Sequence, residues 1–559
     1  MSSTSQPRSG GQLLVDSLRV HGADRAFCVA GESYLEVLDA FHDAPDIALI
    51  TCRQEGGAAN MAEAVGKLTG RPGICFVTRG PGACNASIGV HTAMQDSTPM
   101  ILFVGQVARD QAEREAFQEI DYRRMFSPVA KWAAQIDDAA RIPEFVSRAF
   151  HVATSGRPGP VVLALPEDML RDTVTVPLTG KFTEVQAHPG AADLERVADL
   201  LVAAERPLVL VGGSGWTDAA CADLKRFAES WGLPVCSSFR RQDVLDNTSP
   251  SWIGDLGTGP NPKLLARVKQ SDLLLVIGAR LGEMTTQGYE LIELPETRQT
   301  LIHVHASAEE LGRVFRPDLP IQSGSAAFVA ELARRVLPGS TSWREWTESG
   351  RRDFIEWLEP APYDGALDLG AVSVWLRDRL PEDAIVTIDA GNFSGWAQRF
   401  LSYRRPGRQL GPTSGAMGYS VPAAVAAKLV HRDRMVVGFV GDGGFQMSGQ
   451  ELATAMHTGA APIILLFNNG MFGTIRMHQE KRYPGRVSAT ALTNPDFAAL
   501  AQSYGAFGAV VERTEQFAPA FEAAVASGKA AVIELRMDPE VITTRTTLSA
   551  LRQQALAQK

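Results

Sequence analysis

MVVGFVGDGGFQMSGQELATAMHTGAAPIILLFNNGMFGTIR, residues 435–476, begins with a Val-rich run, Met435 to Val440, of the kind that forms a buried strand. The run ends at Gly441-Asp442-Gly443-Gly444. A helix is expected next, with Ser448-Gly449-Gln450-Glu451 as its capping box and Gly459 as its C-terminal stop. A second apolar run, Pro462 to Phe467, then delivers Asn468 and Asn469. Strand, helix and strand in this order make a βαβ unit with parallel strands. Asp442 and Asn469 are therefore expected at carboxyl ends, where open α/β sheets bind ligands. A carboxylate and an amide oxygen placed there suit Mg²⁺, a hard cation that keeps positions open for phosphate oxygens. Gly443 and Gly444 let backbone N–H groups approach a diphosphate, and the helix start adds a favourable dipole. A lone GDG is ordinarily a turn. Its pairing with Asn-Asn across a whole βαβ unit points instead to a cofactor.

The rest of the chain fits a large globular protein. Its 559 residues exceed one hydrophobic core, and 45% hydrophobic with 21% charged residues is ordinary for a globular protein. The net charge of −9 argues against nucleic acid as the main partner. No apolar run has the length needed to span a membrane. The polar start, MSSTSQPRSGG, lacks a signal-peptide core, so a cytoplasmic protein with a loose tail is expected. Cys28, Cys52, Cys75, Cys84, Cys221 and Cys236 show no CxxC spacing and read as reduced thiols, several of them in apolar runs.

Three α/β blocks follow one another, at 1–180, 190–340 and 365–545. In the first, strands are expected at Ala26–Ala30, Ile47–Cys52, Ile74–Thr78, Met100–Gly105 and Val161–Leu165. The second includes Pro207–Val211, Pro234–Ser237, Leu273–Ile277 and Thr300–His305. The third carries Ala384–Asp389, Met435–Val440, Pro462–Phe467 and Ala531–Leu535. A Trp-, Glu- and Pro-containing connection, SWREWTESGRRDFIEWLEPAPYDG, separates the last two blocks. Alternating strands and helices imply parallel sheets covered on both faces, hence three doubly wound domains of the α/β class. The first and third blocks share size and pattern, which suits an old duplication.

GDG, a spacer of this length and then NN resembles the signature of thiamine-diphosphate enzymes. The resemblance implies that Asp442, Asn469 and the carbonyl of Met471 ligate Mg²⁺. Cys52-Arg53-Gln54-Glu55-Gly56-Gly57-Ala58-Ala59 resembles the family's REGGAA-like segment. By itself Glu55 reads as a favourable charge in a first helical turn. In the family a glutamate here hydrogen-bonds N1′ of the aminopyrimidine and so helps release the C2 proton, the cofactor supplying the hard chemistry. Thr413-Ser414-Gly415-Ala416-Met417-Gly418-Tyr419-Ser420-Val421-Pro422 resembles the GxMGxxxP segment, in which Met417 holds the cofactor bent and Gly415 lies against it. Asn392, in Asp389-Ala390-Gly391-Asn392, is expected as a further phosphate contact. The three blocks then correspond to pyrimidine-binding, middle nucleotide-fold and pyrophosphate-binding domains. In this family Glu55 of one subunit serves the cofactor of another, which implies a homodimer or homotetramer.

Within the family the chain is most similar to acetolactate synthase large subunits, through Gly80-Pro81-Gly82-Ala83, Ala116-Phe117-Gln118-Glu119 and Asn494-Pro495-Asp496-Phe497. The expected activity is decarboxylation of a 2-oxo acid with carboligation to a second carbonyl compound. Phe117 and Gln118 are carried over as substrate-side residues. Pyruvate decarboxylases carry a His-His pair near residues 112–117, where this chain has none, and a glutamate where Ile475 stands. Three positions depart from the synthase pattern: Glu32 replaces glycine, Glu167 a frequent lysine and His478 a tryptophan. Glu32 and His478 are therefore expected at the substrate, with Arg476 and His478 as receptors for an acidic group. Two other readings are a 2-hydroxyacyl-CoA or oxalyl-CoA lyase of the same cofactor class, and a non-catalytic cofactor-binding paralogue. Val211-Gly212-Gly213-Ser214-Gly215 and Gly278-Ala279-Arg280-Leu281-Gly282 resemble segments that hold FAD or ADP in relatives, a weak signal because such turns are common. His303 and His305 lack a third metal ligand in the sequence around them and read as structural. The polar-amphipathic C-terminus, TTRTTLSALRQQALAQK, reads as a lid or a surface helix.

Overall fold

The computed structural model describes residues 6–335 and 341–558. Three six-stranded sheets dominate it, and every strand pairing within them is parallel. The first sheet contains β1 (Arg25–Cys28), β2 (Ala48–Thr51), β3 (Gly73–Val77), β4 (Met100–Gln106), β5 (Trp132–Gln135) and β6 (Pro160–Pro166). The second contains β7 (Pro207–Val211), β8 (Val235–Ser238), β9 (Trp252–Leu256), β10 (Leu273–Ile277), β11 (Thr300–His305) and β12 (Leu319–Gln322). The third contains β13 (Ile385–Ile388), β14 (Gln409–Leu410), β15 (Val436–Gly441), β16 (Ile463–Asn468), β17 (Phe507–Val511) and β18 (Ala531–Arg536).

The first and third sheets share one strand order, β2-β1-β3-β4-β6-β5 and β14-β13-β15-β16-β18-β17. In each, the chain reverses its direction of build between the first and third strand. That reversal opens a crevice at the carboxyl ends of β1 and β3, and of β13 and β15. The second sheet has a different order, β9-β8-β7-β10-β11-β12, the other common doubly wound topology. Central strands such as Ile463–Phe467 and Leu273–Ile277 are buried along their length, which explains their unbroken apolar sequences.

By contact the chain divides into two compact units. One comprises Met1–Val185 with Val421–Arg432 and Ser448–Ala460; the other comprises Gln186–Ser420, Asp433–Met447 and Ala461–Lys559. The first unit holds the first sheet and a core that includes Phe76, Phe103, Val161 and Leu163. In it, α1 (Glu55–Thr69) and α2 (Gly80–Asp96) cross closely through small residues. A Cβ on Gly89 would lie 2.4 Å from that of Ala59. The second unit holds the other two sheets, each with its own core. The connection after residue 340 is not a loop: it folds as α3 (Arg344–Trp357) on the middle core. Trp343 is buried with its indole N–H on the Trp231 carbonyl, and Phe354 meets Trp252 edge-on.

The helix expected after Asp442 forms in two pieces, α4 (Asp442–Ser448) and α5 (Glu451–Thr458), with Gly459 as the left-handed stop. The expected capping box is absent. Gln450 takes the N-cap position of α5 without capping the helix through its side chain, and the Ser448 hydroxyl finds no partner. Glu451 is drawn away by a stronger demand. Its fully buried carboxylate accepts the backbone N–H of Arg53 at 3.1 Å and of Gln54 at 3.0 Å, and the Thr454 hydroxyl at 2.6 Å. These are N–H groups at the start of α1 that no helical carbonyl can satisfy. A Cβ on Gly57 would lie 2.5 Å from the Glu451 carboxylate, which accounts for the second glycine of the segment. Burial pushes the Glu451 carboxyl up, and these donors oppose the shift.

Replacing Glu451 by alanine strands two partly buried N–H groups at the start of α1. Thermal unfolding of Glu451→Ala is expected to show a loss of about 1–3 kcal/mol. A variant as stable as the parent would remove Glu451 from the framework of α1.

Candidate active site

In the first unit the candidate residues gather at the carboxyl ends of the first sheet. Glu55 opens α1 just beyond β2, half-buried, and its carboxylate accepts the Asn85 side-chain N–H at 2.9 Å. Gln54 caps the helix through the Gly57 N–H, leaving the Glu55 carboxylate clear of that duty. Glu32 follows β1, and Arg79 follows β3 as the N-cap residue of α2. They thus meet across the crevice where the strand order reverses. The Arg79 guanidinium is largely buried, 3.2 Å from Glu32 and 3.5 Å from Glu167, and it also donates to the Phe117 carbonyl at 3.3 Å. Two of the three departures from the synthase pattern therefore share one arginine. The charges at Glu32 and Glu167 form a single cluster rather than separate surface changes.

The segment before Gln118 is a tight loop. Glu119 accepts the backbone N–H groups of Glu113 and Ala116, and Glu113, Glu115 and Gln118 all take positive φ. Gly80 donates its N–H to the Gln118 carbonyl at 2.9 Å, and the Gln118 Oε1 is buried without a partner. Phe117 points outward, 72% exposed, a large apolar side chain with no cover within the chain. Arg79 was missed in the sequence, although it directly precedes the Gly80-Pro81-Gly82 motif.

In the second unit Asp442 is buried at the start of α4, just past β15. One carboxylate oxygen accepts the Gly443 N–H at 2.9 Å; the other accepts the Gly470 N–H at 2.9 Å and the Asn494 side-chain N–H at 2.8 Å. Burial pushes the Asp442 carboxyl up, and these donors counteract it. Asn469 turns its amide oxygen toward the Met471 N–H at 3.2 Å, an Asx turn that fixes the loop after β16. Asn494 bridges Asp442 and Asn468, a role not assigned from the sequence. A Cβ on Gly443 would lie 2.6 Å from the Phe472 ring, so only glycine fits between the helix start and this loop.

Asp389 ends β13 fully buried. Its carboxylate accepts the N–H groups of Ala390 at 2.7 Å, Gly418 at 3.0 Å and Ser420 at 3.2 Å. Burial raises this carboxyl to about 6 against those donors and the charge of Arg240. A Cβ on Gly444 would lie 3.3 Å from the carboxyl of Asp389. Asp389 thus joins the Gly415–Ser420 segment to the Asp442–Gly444 turn. Gly415 has φ +70 with open space where a Cβ would point, so its left-handed backbone is what requires glycine. Met417 beside it is half-buried. Asn392 accepts the Thr474 hydroxyl at 3.0 Å, tying the end of β13 to α6 (Gly473–Arg482).

His478 is exposed on α6. Arg476, expected beside it as an anion receptor, is instead committed to Glu480 at 2.6 Å. Arg552 of α7 (Leu548–Ala557) adds two bonds to the same carboxylate, at 2.7 and 2.9 Å, and these hold Glu480 down at about 2. Leu548 and Leu551 of α7 pack with Met471 and Met477. The C-terminus is therefore a helix fastened to α6.

The oxygen donors at Asp442, Asn469 and Met471 suit Mg²⁺ with a diphosphate supplying the remaining ligands. No cluster of three or more His, Cys, Asp or Glu side chains able to hold a metal occurs among the described residues. His303 and His305 are occupied by backbone partners at Ala279 and Ser307. In the middle sheet, a Cβ on Gly213 would lie 2.0 Å from the Gly278 carbonyl, and one on Gly278 2.2 Å from the Ser325 hydroxyl. Packing between protein atoms accounts for these glycines, and they give no argument for FAD or ADP.

Three family models match the chain: the N-terminal TPP binding domain of thiamine pyrophosphate enzymes over residues 8–125, their central domain over 194–332, and their C-terminal TPP binding domain over 389–535. The acetolactate synthase large subunit of Parasynechococcus marenigrum is 32% identical over 95% of this chain and 88% of its own length. That of Haemophilus influenzae is 32% identical over 89% of each chain. The large subunit of acetolactate synthase isozyme 2 from Escherichia coli is 29% identical over 95% of this chain and 96% of its own. No helix among the described residues is long and apolar enough to cross a membrane. With three matching domains and relatives of this extent, the chain belongs to the thiamine pyrophosphate enzymes, whose cofactor is thiamine diphosphate with Mg²⁺.

Proposed function

We propose that the protein decarboxylates a 2-oxo acid and joins the remaining acyl unit to a second carbonyl compound, as an acetolactate synthase does. The observation that carries this reading is that the chain has both Glu55 at the head of α1 and an oxygen-donor set at Asp442, Asn469 and Met471, and that its relatives bear that name. Thiamine diphosphate, when bound, supplies the carbon nucleophile. Asp442, Asn469 and the Met471 carbonyl hold the metal, and Gly443 and Gly444 admit the diphosphate to the start of α4. Asn392 and Gly415 would border the cofactor, and Met417 would press against it. Glu55 holds a proton at N1′ of the aminopyrimidine. The active form is a cytoplasmic homodimer or homotetramer in which Glu55 of one copy serves the cofactor held by another.

On the substrate side stand Glu32, Phe117, Gln118 and His478. Arg79 is already neutralised by Glu32 and Glu167, so it is not the receptor for a substrate carboxylate. The retained Glu55 and metal ligands speak against a non-catalytic paralogue, and nothing in the middle sheet favours a CoA ester over a free oxo acid.

The purified protein with thiamine diphosphate, Mg²⁺ and pyruvate is expected to release one CO₂ for each acetolactate formed. Free acetaldehyde, or no turnover with the cofactor bound, would reject the carboligase reading for pyruvate. Glu55→Gln should retain the cofactor and lose about 10²–10⁴-fold in turnover, the range of one proton-transfer group. Undiminished turnover would remove Glu55 from the reaction. His478→Trp should bind the cofactor as the parent does and alter the relative kcat/KM among oxo acids. Unchanged ratios across a panel would place His478 outside the pocket.

A further inference from the structure

Arg240, two residues beyond β8 in the middle domain, has φ +60. That left-handed backbone costs a non-glycine residue on the order of 1 kcal/mol, so the surroundings must hold it. They do so through the guanidinium. It is almost wholly buried, packs on the Phe239 ring at 5.0 Å, and donates to the Ile388 carbonyl at 2.8 Å and the Asp389 carbonyl at 3.0 Å. A Cβ on Gly411 would lie 2.3 Å from the same guanidinium. Ile388 and Asp389 close β13, and Gly411 follows its neighbour β14. The arginine therefore fills the gap beyond the ends of these two paired strands. Immediately past it, the Asp389 carboxylate takes the Gly418 and Ser420 N–H groups and lies against Gly444.

We propose that Arg240 is a positioning residue of the cofactor site. It locks the carboxyl end of β13, and through Asp389 it sets both the Gly415–Ser420 segment and the Asp442–Gly444 turn. The middle domain thereby reaches the cofactor through one side chain, without touching it. This inference rests on the assignment of those two turns to thiamine diphosphate.

Arg240→Gly keeps the left-handed backbone at no strain and removes the guanidinium. Calorimetric titration of the apo-protein with thiamine diphosphate in excess Mg²⁺ is expected to show affinity reduced about 10–100-fold, the usual cost of removing a group that orients a ligand's contacts. Arg240→Lys, whose ammonium cannot span both carbonyls as the guanidinium does, should recover part of it. Parental affinity in a folded Arg240→Gly overturns the proposal, whatever its melting temperature. If that variant does not fold, parental affinity in both Arg240→Lys and Arg240→Met overturns it equally. Asp442→Ala is the control for the turns themselves. Normal binding there would reject their assignment to the cofactor, independently of Arg240.

Discussion

The cost of burying a carboxylate organises this molecule. An unpaired buried carboxylate is penalised by several kcal/mol, so each one recruits donors from wherever the chain can supply them. Asp389 recruits three backbone N–H groups, two of them from the segment around Met417. Asp442 recruits Gly470 and Asn494 from beyond the next strand. Glu451 recruits the start of α1 from almost four hundred residues away. Each acid thus pins turns that have no regular structure of their own. The turns so pinned are the ones where the residues proposed to bind the cofactor stand.

Parallel strand order supplies the sites at which this happens. In the first and third sheets the order reverses between first and third strand, and each crevice holds charge. Glu32 and Arg79 occupy one; Asp389 and the Asp442–Gly444 turn occupy the other. One strand order has in this way been given two chemistries. In the first sheet an arginine is balanced by carboxylates beside an exposed phenylalanine. In the third, buried carboxylates lie against glycines packed between Asp389 and Phe472.

The sequence made the centre of each sheet plain and its edges obscure. Runs such as Ile463–Phe467 and Leu273–Ile277 are buried on both faces, so their apolar character is continuous. The strands not anticipated, β5, β9, β12, β14 and β17, all lie at sheet edges. Trp132–Gln135 is half-buried throughout, Leu319–Gln322 contains a proline and Trp252–Leu256 contains Gly254 and Asp255, while Gln409–Leu410 is only two residues long. None carries the unbroken apolar signal. At the site, the cofactor motifs were legible because glycines, an acid and amides recur at fixed points of one βαβ unit. Arg79, Asn494 and Arg240 were not, because each acts on backbone or carboxylates far off in sequence. Glu451 was misread for the same reason. Locally it completes a capping pattern, and only the fold reveals the more demanding N–H groups of α1.

The fastening of α7 to α6 has a practical side. Arg552 grips the helix that begins two residues after Met471, and Leu548 and Leu551 cover Met471 itself. Anything fused beyond α7 is carried on a helix that packs against Met471, in the loop proposed to hold the metal. A purification tag or fluorescent reporter placed there would bear on that contact, and truncation before Leu548 would remove it. Variants with a fusion beyond α7 and those without one are therefore best compared within their own sets.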